Sequence, residues 1–135
     1  IEKGFCSLGH ELDSDIGPIE VGLDMFTRRT GGFVGYAAME KKRKEGAENK
    51  LISLTLEDDT AVPIGGEPIY LNDQIIGQTT SCAFGFRIGK PIALGYLKEK
   101  VSNNSNVYVD IARHLYGATV STGPLFDADG LTMRN

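Results

Sequence analysis

At 135 residues, 41% hydrophobic and 24% charged, the chain has the make-up of an ordinary globular domain, long enough to bury a core without disulfide or metal staples. A net charge of -4 and a pI near 5.1 argue against nucleic acid or an anionic membrane as the main partner, because both call for concentrated positive charge; a small or neutral partner fits better. There is no apolar run near about 18 residues and no charged start leading into an apolar stretch, so neither a membrane span nor a signal peptide is expected.

The opening Ile1-Glu2-Lys3-Gly4, without a methionine or a capping signal, reads as the continuation of a larger protein, with which any targeting signal would lie. Residues 1 to 32 carry scattered apolar residues among Gly9, Gly17, Pro18, Gly22, Gly31 and Gly32, hold no period of 2 or 3.6, and are expected to be irregular. From Phe33 to Gly46 the pattern predicts a short amphipathic helix. Tyr36 and Met39 share a face, Glu40 precedes Lys44 by four, and Gly46 is a natural stop.

After Gly46 the hydrophobic period changes to 2. Ile52, Leu54 and Leu56 alternate with Ser53 and Thr55, and Asn72-Asp73 stands between two β-prone runs as hairpin chemistry. Further strands are predicted at 91 to 97, 107 to 112 and 115 to 121, the last two pairing antiparallel because the link around His114 is too short for a crossover helix. The expected fold is mainly β. An irregular segment and one helix precede a six-stranded antiparallel barrel or jelly-roll-like domain, with a boundary between residues 1–46 and 47–135.

Few residues suggest chemistry. Cys6 and Cys82 lie far apart in a cysteine-poor chain and are expected to be two reduced thiols, which points to a reducing compartment. Gly85-Phe86-Arg87-Ile88-Gly89-Lys90 has the look of a phosphate loop but is one residue short. Pro91 also stands where the magnesium-holding Ser or Thr would be, so a plain β-turn is expected. Lys41-Lys42-Arg43-Lys44, flanked by Glu40 and Glu45, reads as a solvated helix face. Glu11, Asp13 and Asp15 lack the glycine and distal glutamate of a calcium loop and read as surface acids, while His10 and His114 have no companion at zinc spacing. Asn103-Asn104-Ser105 is a glycosylation triplet in form and a loop tip by position. With no Gly-x-Ser-x-Gly elbow and no cysteine in a reactive context, no catalytic residue and no metal ligand is assigned.

The order of motifs nevertheless resembles one family. Ile1-Glu2-Lys3-Gly4 is similar to the end of an Arg-x-Glu-x-Gly segment whose arginine would precede Ile1; Gly9-His10-Glu11-Leu12-Asp13 resembles a Gly-x-Glu-Leu/Ile-Asp stretch; Pro18 to Leu23 resembles Pro-x-Glu-x-Gly-Leu. Phe33-Val34-Gly35 with Ala38, Gly66 to Tyr70, Ile76 to Ser81 and Ile92 to Tyr96 continue the series to about Phe126. Together they resemble the C-terminal part of the glycine-cleavage T-protein and aminomethyltransferase family. Phe84-Gly85-Phe86 and Pro124-Leu125-Phe126-Asp127 look most like its sarcosine and dimethylglycine dehydrogenase branch. Leu8 departs from an aromatic residue common in the family, and Leu131 falls near a position where T-proteins carry a tyrosine.

The resemblance implies a parent protein that binds tetrahydrofolate and accepts a one-carbon unit leaving an amine, with an N-terminal FAD domain in the dehydrogenase branch. It implies that residues 1–46 end the folate-binding core and that 47–135 form a C-terminal barrel. Glu2 and Arg29 are then candidate cofactor-binding residues, and the chain alone is expected to be inactive without the N-terminal remainder of the same protein. A non-catalytic regulatory relative and a folate-dependent demethylase are the alternatives. The implied location is cytoplasmic, or the mitochondrial matrix in a eukaryote.

Overall fold

The structure, a computed structural model, describes residues 1–98 and 100–134. Its strands are β1 (Lys50–Leu56), β2 (Pro68–Leu71), β3 (Gln74–Gly85), β4 (Lys90–Leu97), β5 (Asn106–Ile111) and β6 (His114–Ser121), all paired antiparallel in a closed barrel of order β1-β4-β3-β2-β5-β6. The choice between barrel and jelly roll is thereby settled: β1 pairs both β4 and β6, so the sheet has no free edge. The predicted strands match these, except that the fifth ends at Ile111 and Ala112 turns the corner instead.

Period-2 patterning sends Ile52, Leu54, Leu56, Ile69, Ile76, Val107, Val109, Ala118 and Val120 into one core cluster. Each of the valine, leucine and isoleucine side chains contributes about 1.5–3 kcal/mol on burial. β4 differs, since Pro91 through Gly95 are buried without alternation. Ala93 and Leu97 join the interior cluster, whereas Ile92 and Leu94, equally buried, are not part of it. The N-terminal segment covers the outer side of this region: the Leu51 amide, opposite Tyr96 in the β1–β4 ladder, donates to the Glu20 carbonyl at 3.0 Å, and the Tyr96 hydroxyl donates to the Glu11 carbonyl at 2.6 Å.

Two glycines let β3 and β4 approach. A β-carbon on Gly77 would lie 1.9 Å from the Tyr96 carbonyl oxygen, and one on Gly95 would lie 2.6 Å from that of Gln78, so only hydrogen fits at either position. The β2–β3 turn holds Asn72 and Asp73 at φ 49° and 63°, the double left-handed conformation that asparagine and aspartate tolerate.

Residues 1 to 32 contain little regular structure apart from a 3-10 turn at Asp24–Phe26, as expected. Helix α1 runs Tyr36–Glu45 and starts later than Phe33, because Gly35 at φ 89° cannot belong to a right-handed helix. Tyr36, Met39, Glu40 and Arg43 are its half-buried positions, and no helix residue is fully buried. Polar contacts, more than apolar packing, therefore fix the helix.

Candidate functional site

The N-terminal segment is attached to the barrel by carboxylates. Glu2 accepts the amides of Arg87 and Ile88 through Oε1 at 2.7 and 3.0 Å, in the turn between β3 and β4, while its carbonyl accepts the amides of Leu125 and Phe126 at 3.0 Å. One residue thus clasps the chain start, a barrel turn and the C-terminal tail. The turn amides that made residues 85–90 look like a phosphate loop face this internal carboxylate. Lys3 adds an ion pair with Asp127 at 2.5 Å in the same corner, and that contact holds the Asp127 carboxyl below its ordinary range.

Glu11 is the second pin, and here the expectation of a surface acid is overturned, for it is 0% exposed. Its Oε2 accepts the Ser7 amide at 2.9 Å, and its Oε1 accepts the Thr80 hydroxyl at 2.5 Å and the Ser81 amide at 3.1 Å. Burial pushes its pKa up, but these bonds to the ionised form outweigh burial and the net shift is downward. Asp13 and Asp15, in contrast, are exposed.

A third group links the segment to α1. Lys42 donates to Oε1 of the buried Glu20, whose Oε2 has no partner among the described residues. Arg43, predicted to be solvated, is 9% exposed and bridges Asp24, Glu40 and Thr27, with Nε 2.8 Å from Asp24 Oδ1. The basic run is therefore divided. Arg43 and Lys42 are used internally, and Lys41 meets Glu45 at 3.8 Å near solvent.

The two candidate cofactor residues occupy different places. Glu2 is half-buried in the clasp, whereas Arg29 is 65% exposed and pairs with Asp24 at 2.8 Å. Among the described residues no hydrogen bond joins them to a shared partner. A cleft of about 210 Å³ lies between the segment and the barrel, lined by Ile16, Asn49, Ile75, Gln78, Tyr96 and Lys98. Burial, with the nearby charge of Glu11, raises the Tyr96 pKa, so its hydroxyl stays a neutral donor. A wider groove of about 540 Å³ on the far wall is lined by Tyr70, Tyr108, Leu115, Asp73 and Asp110.

These groups position chain segments; they do not form a nucleophile. Burial and the charge of Glu67 push the Cys82 thiol up to about 12, and burial also raises Cys6, so neither free cysteine is an activated thiolate. Glu67 itself is consumed by the Ile64 and Gly65 amides and the Thr79 hydroxyl. His10 and His114 are both exposed. Among the described residues there is no cluster of ligating side chains suited to a metal, and no helix is long and apolar enough to cross a membrane.

Comparison with known proteins fits this architecture. The family model described as the glycine cleavage T-protein C-terminal barrel domain matches residues 49–127. Mouse mitochondrial dimethylglycine dehydrogenase is 31% identical over 128 residues, covering 93% of this chain and 15% of that protein. Mouse mitochondrial sarcosine dehydrogenase is 39% identical over 103 residues, covering 73% of this chain and 11% of that protein. The crystal structure of the glycine cleavage system aminomethyltransferase T from Bartonella henselae has the same fold, with a TM-score of 0.83 and 22% identity, over 94% of this chain and 37% of that one. The chain thus spans well under half the length of each of these relatives. With its closed six-stranded barrel and the ordered motifs from Glu2 to Phe126, the chain belongs to the glycine cleavage T-protein C-terminal barrel family, alongside the aminomethyltransferases and the sarcosine and dimethylglycine dehydrogenases.

Proposed function

We propose that this chain is the C-terminal part of a folate-dependent one-carbon transfer protein of the sarcosine and dimethylglycine dehydrogenase type, and that it forms a wall of the folate site. The observation that carries this reading is the 31% identity over 128 residues to dimethylglycine dehydrogenase, which runs through the N-terminal segment as well as the barrel. In this reading residues 1–46 end the folate-binding core and 47–135 form the barrel.

The side chains present suit an edge of such a site better than a whole one. A cleft near 210 Å³ is below the roughly 300–1,000 Å³ usual for ligand pockets. The larger groove carries Asp73 and Asp110, the wrong sign for folate's acidic tail. Arg29, largely exposed, can meet a carboxylate, whereas Glu2 acts by holding the β3–β4 turn in place. Bound tetrahydrofolate would supply the amine nitrogens that accept the one-carbon unit; this chain's share is to shape the wall. The remainder of the protein would provide the opposing face and, in the dehydrogenase branch, an FAD domain. The free thiols fit a reducing compartment, cytoplasm or mitochondrial matrix.

The test is calorimetric titration with tetrahydrofolate of this chain and of the full-length protein. Tight binding by the full-length protein with little or none by the chain is expected, because a single wall leaves the ligand hydrated and unoriented. Equal micromolar binding by both would place the site within these residues, and no binding by either would remove the folate reading.

A further inference from the structure

The pins at Glu2 and Glu11 fix where the N-terminal segment runs. Glu2 is bonded at Arg87 and Ile88, beyond the end of β3, and Glu11 at Thr80 and Ser81, within it. Residues 2–11 therefore lie beside residues 80–88 in the opposite direction. Between the pins, Phe5 is 67% and Leu8 84% exposed on the segment, while Phe84 is 45% and Phe86 87% exposed on the barrel side. The rings of Phe84 and Phe86 meet edge to face at 5.4 Å, so this edge presents ordered aromatic surface.

Isolated exposed apolar residues need no explanation, but four large ones on the two stretches bracketed by these pins mark an interaction surface. The segment has no apolar core of its own with which to cover them. Val21, at 8% exposed, is the one buried hydrophobic residue before Ile52 among the described residues. The polypeptide also enters the structure at this edge, since Glu2 sits at the barrel turn. Any chain leading into Ile1 arrives beside Phe86. The chain accounts for 15% of dimethylglycine dehydrogenase and 37% of the aminomethyltransferase structure, which leaves ample preceding polypeptide to reach this surface.

We infer that the edge formed by Phe5, Leu8, Phe84 and Phe86 is the docking surface for the portion of the same polypeptide that precedes Ile1. This deepens the proposed function, because it names the contact by which the wall would be set against the rest of the site. Burying these side chains would anchor the segment from its outer side, while Glu2 and Glu11 hold its inner side.

Hydroxyl-radical footprinting of the full-length protein tests this without substitutions. Oxidation of Phe5, Leu8 and Phe86 is compared with that of Leu115, which is 58% exposed on β6, the strand three places from β3 around the barrel. Each rate is normalised to the same residue in urea. Protection of the three edge residues at least tenfold beyond Leu115, unchanged over a hundredfold dilution, is the expected result. Rates equal to that of Leu115 would overturn the inference, and protection lost on dilution would do so by assigning the surface to a second copy. Tetrahydrofolate titration of the same sample separates the two ideas: protected edges without folate binding would sink the folate reading alone, and folate binding with unprotected edges would sink the docking surface alone.

Discussion

Replacing Glu11 with glutamine should release the N-terminal segment at a cost that the geometry sets. The carboxylate accepts three hydrogen bonds in a fully buried position, from the Ser7 amide on Oε2 and from the Ser81 amide and Thr80 hydroxyl on Oε1. In the Gln variant one oxygen becomes an NH₂ group, and either orientation turns it toward a backbone N–H. One buried donor is left unsatisfied, at about 1–3 kcal/mol, and the remaining bonds lose their charge assistance, at about 1 kcal/mol in all. Glu11→Gln should thus lose about 2–4 kcal/mol, a large share of a typical 5–15 kcal/mol stability. Urea denaturation followed by far-ultraviolet circular dichroism measures it. The pH dependence has a definite sign. The folded pKa of Glu11 is depressed, so its contribution is complete above the unfolded carboxyl value near about 4.3 and is lost as pH falls through the folded value. The gap between wild type and variant should therefore be widest near neutrality and close in acid. Cys6, between the two pins, should also react faster with a maleimide in the variant. A loss below about 0.5 kcal/mol at pH 7, or a gap that widens on acidification, would refute the argument.

Gly77→Ala should destabilise the barrel by about 2–3 kcal/mol in thermal unfolding, since the added methyl would lie 1.9 Å from a backbone oxygen that cannot swing away. The β5–β6 turn offers the opposite result. Ala112 and Arg113 adopt φ 52° and 69°, so the pair Ala112→Asn with Arg113→Gly should stabilise by about 1–2 kcal/mol, read as a higher urea midpoint. Thiol titration of the denatured, unreduced protein should find both cysteines free. In the folded protein at pH 8, Cys82, with its pKa near 12, should alkylate on the order of a thousandfold more slowly than an ordinary thiol.

The barrel was legible because its signals are local. Ile52, Leu54 and Leu56 announce their shared face by alternation, and Asn72-Asp73 announces its turn by residue type. The unbroken apolar run of β4 fits a strand covered on both sides, as it is. The β5–β6 turn carries no such mark: Ala112 and Arg113 are ordinary residues forced into left-handed geometry by the pairing of Ile111 with His114. The carboxylates were illegible for a different reason. Nothing near Glu11 distinguishes it from Asp13, because the donors that make its burial tolerable, Thr80 and Ser81, are 69 and 70 residues away. Arg43 likewise looks like its neighbours Lys41 and Lys44 until Asp24 and Thr27 are brought against it. Glu2, singled out by the family resemblance, accepts the Arg87 and Ile88 amides of the β3–β4 turn. The same resemblance singled out Arg29, whose guanidinium is exposed and paired with Asp24.

The division between apolar core and polar pins bears on how the N-terminal segment is held against the barrel. The barrel's strands are all paired and its interior is filled, and only the outer side of β4 calls for cover from the segment. The N-terminal segment forms no ladder with a barrel strand among the described residues, and carboxylates do most to set its position. Buried charges are a poor source of adhesion, because desolvation cancels most of what their partners return, but they are demanding about geometry. Glu11 can be satisfied in one register only, with Ser7 on one oxygen and Thr80 and Ser81 on the other. A shift of the segment by one residue would strand at least one of these groups. An apolar attachment of equal strength would tolerate sliding. The pins therefore fix where Phe5 and Leu8 stand relative to Phe84 and Phe86, and with them the shape of the edge offered to the rest of the protein. On this argument the carboxylates matter to function through placement, and a variant such as Glu11→Gln should disturb the surface next to Ile1 before it disturbs the barrel.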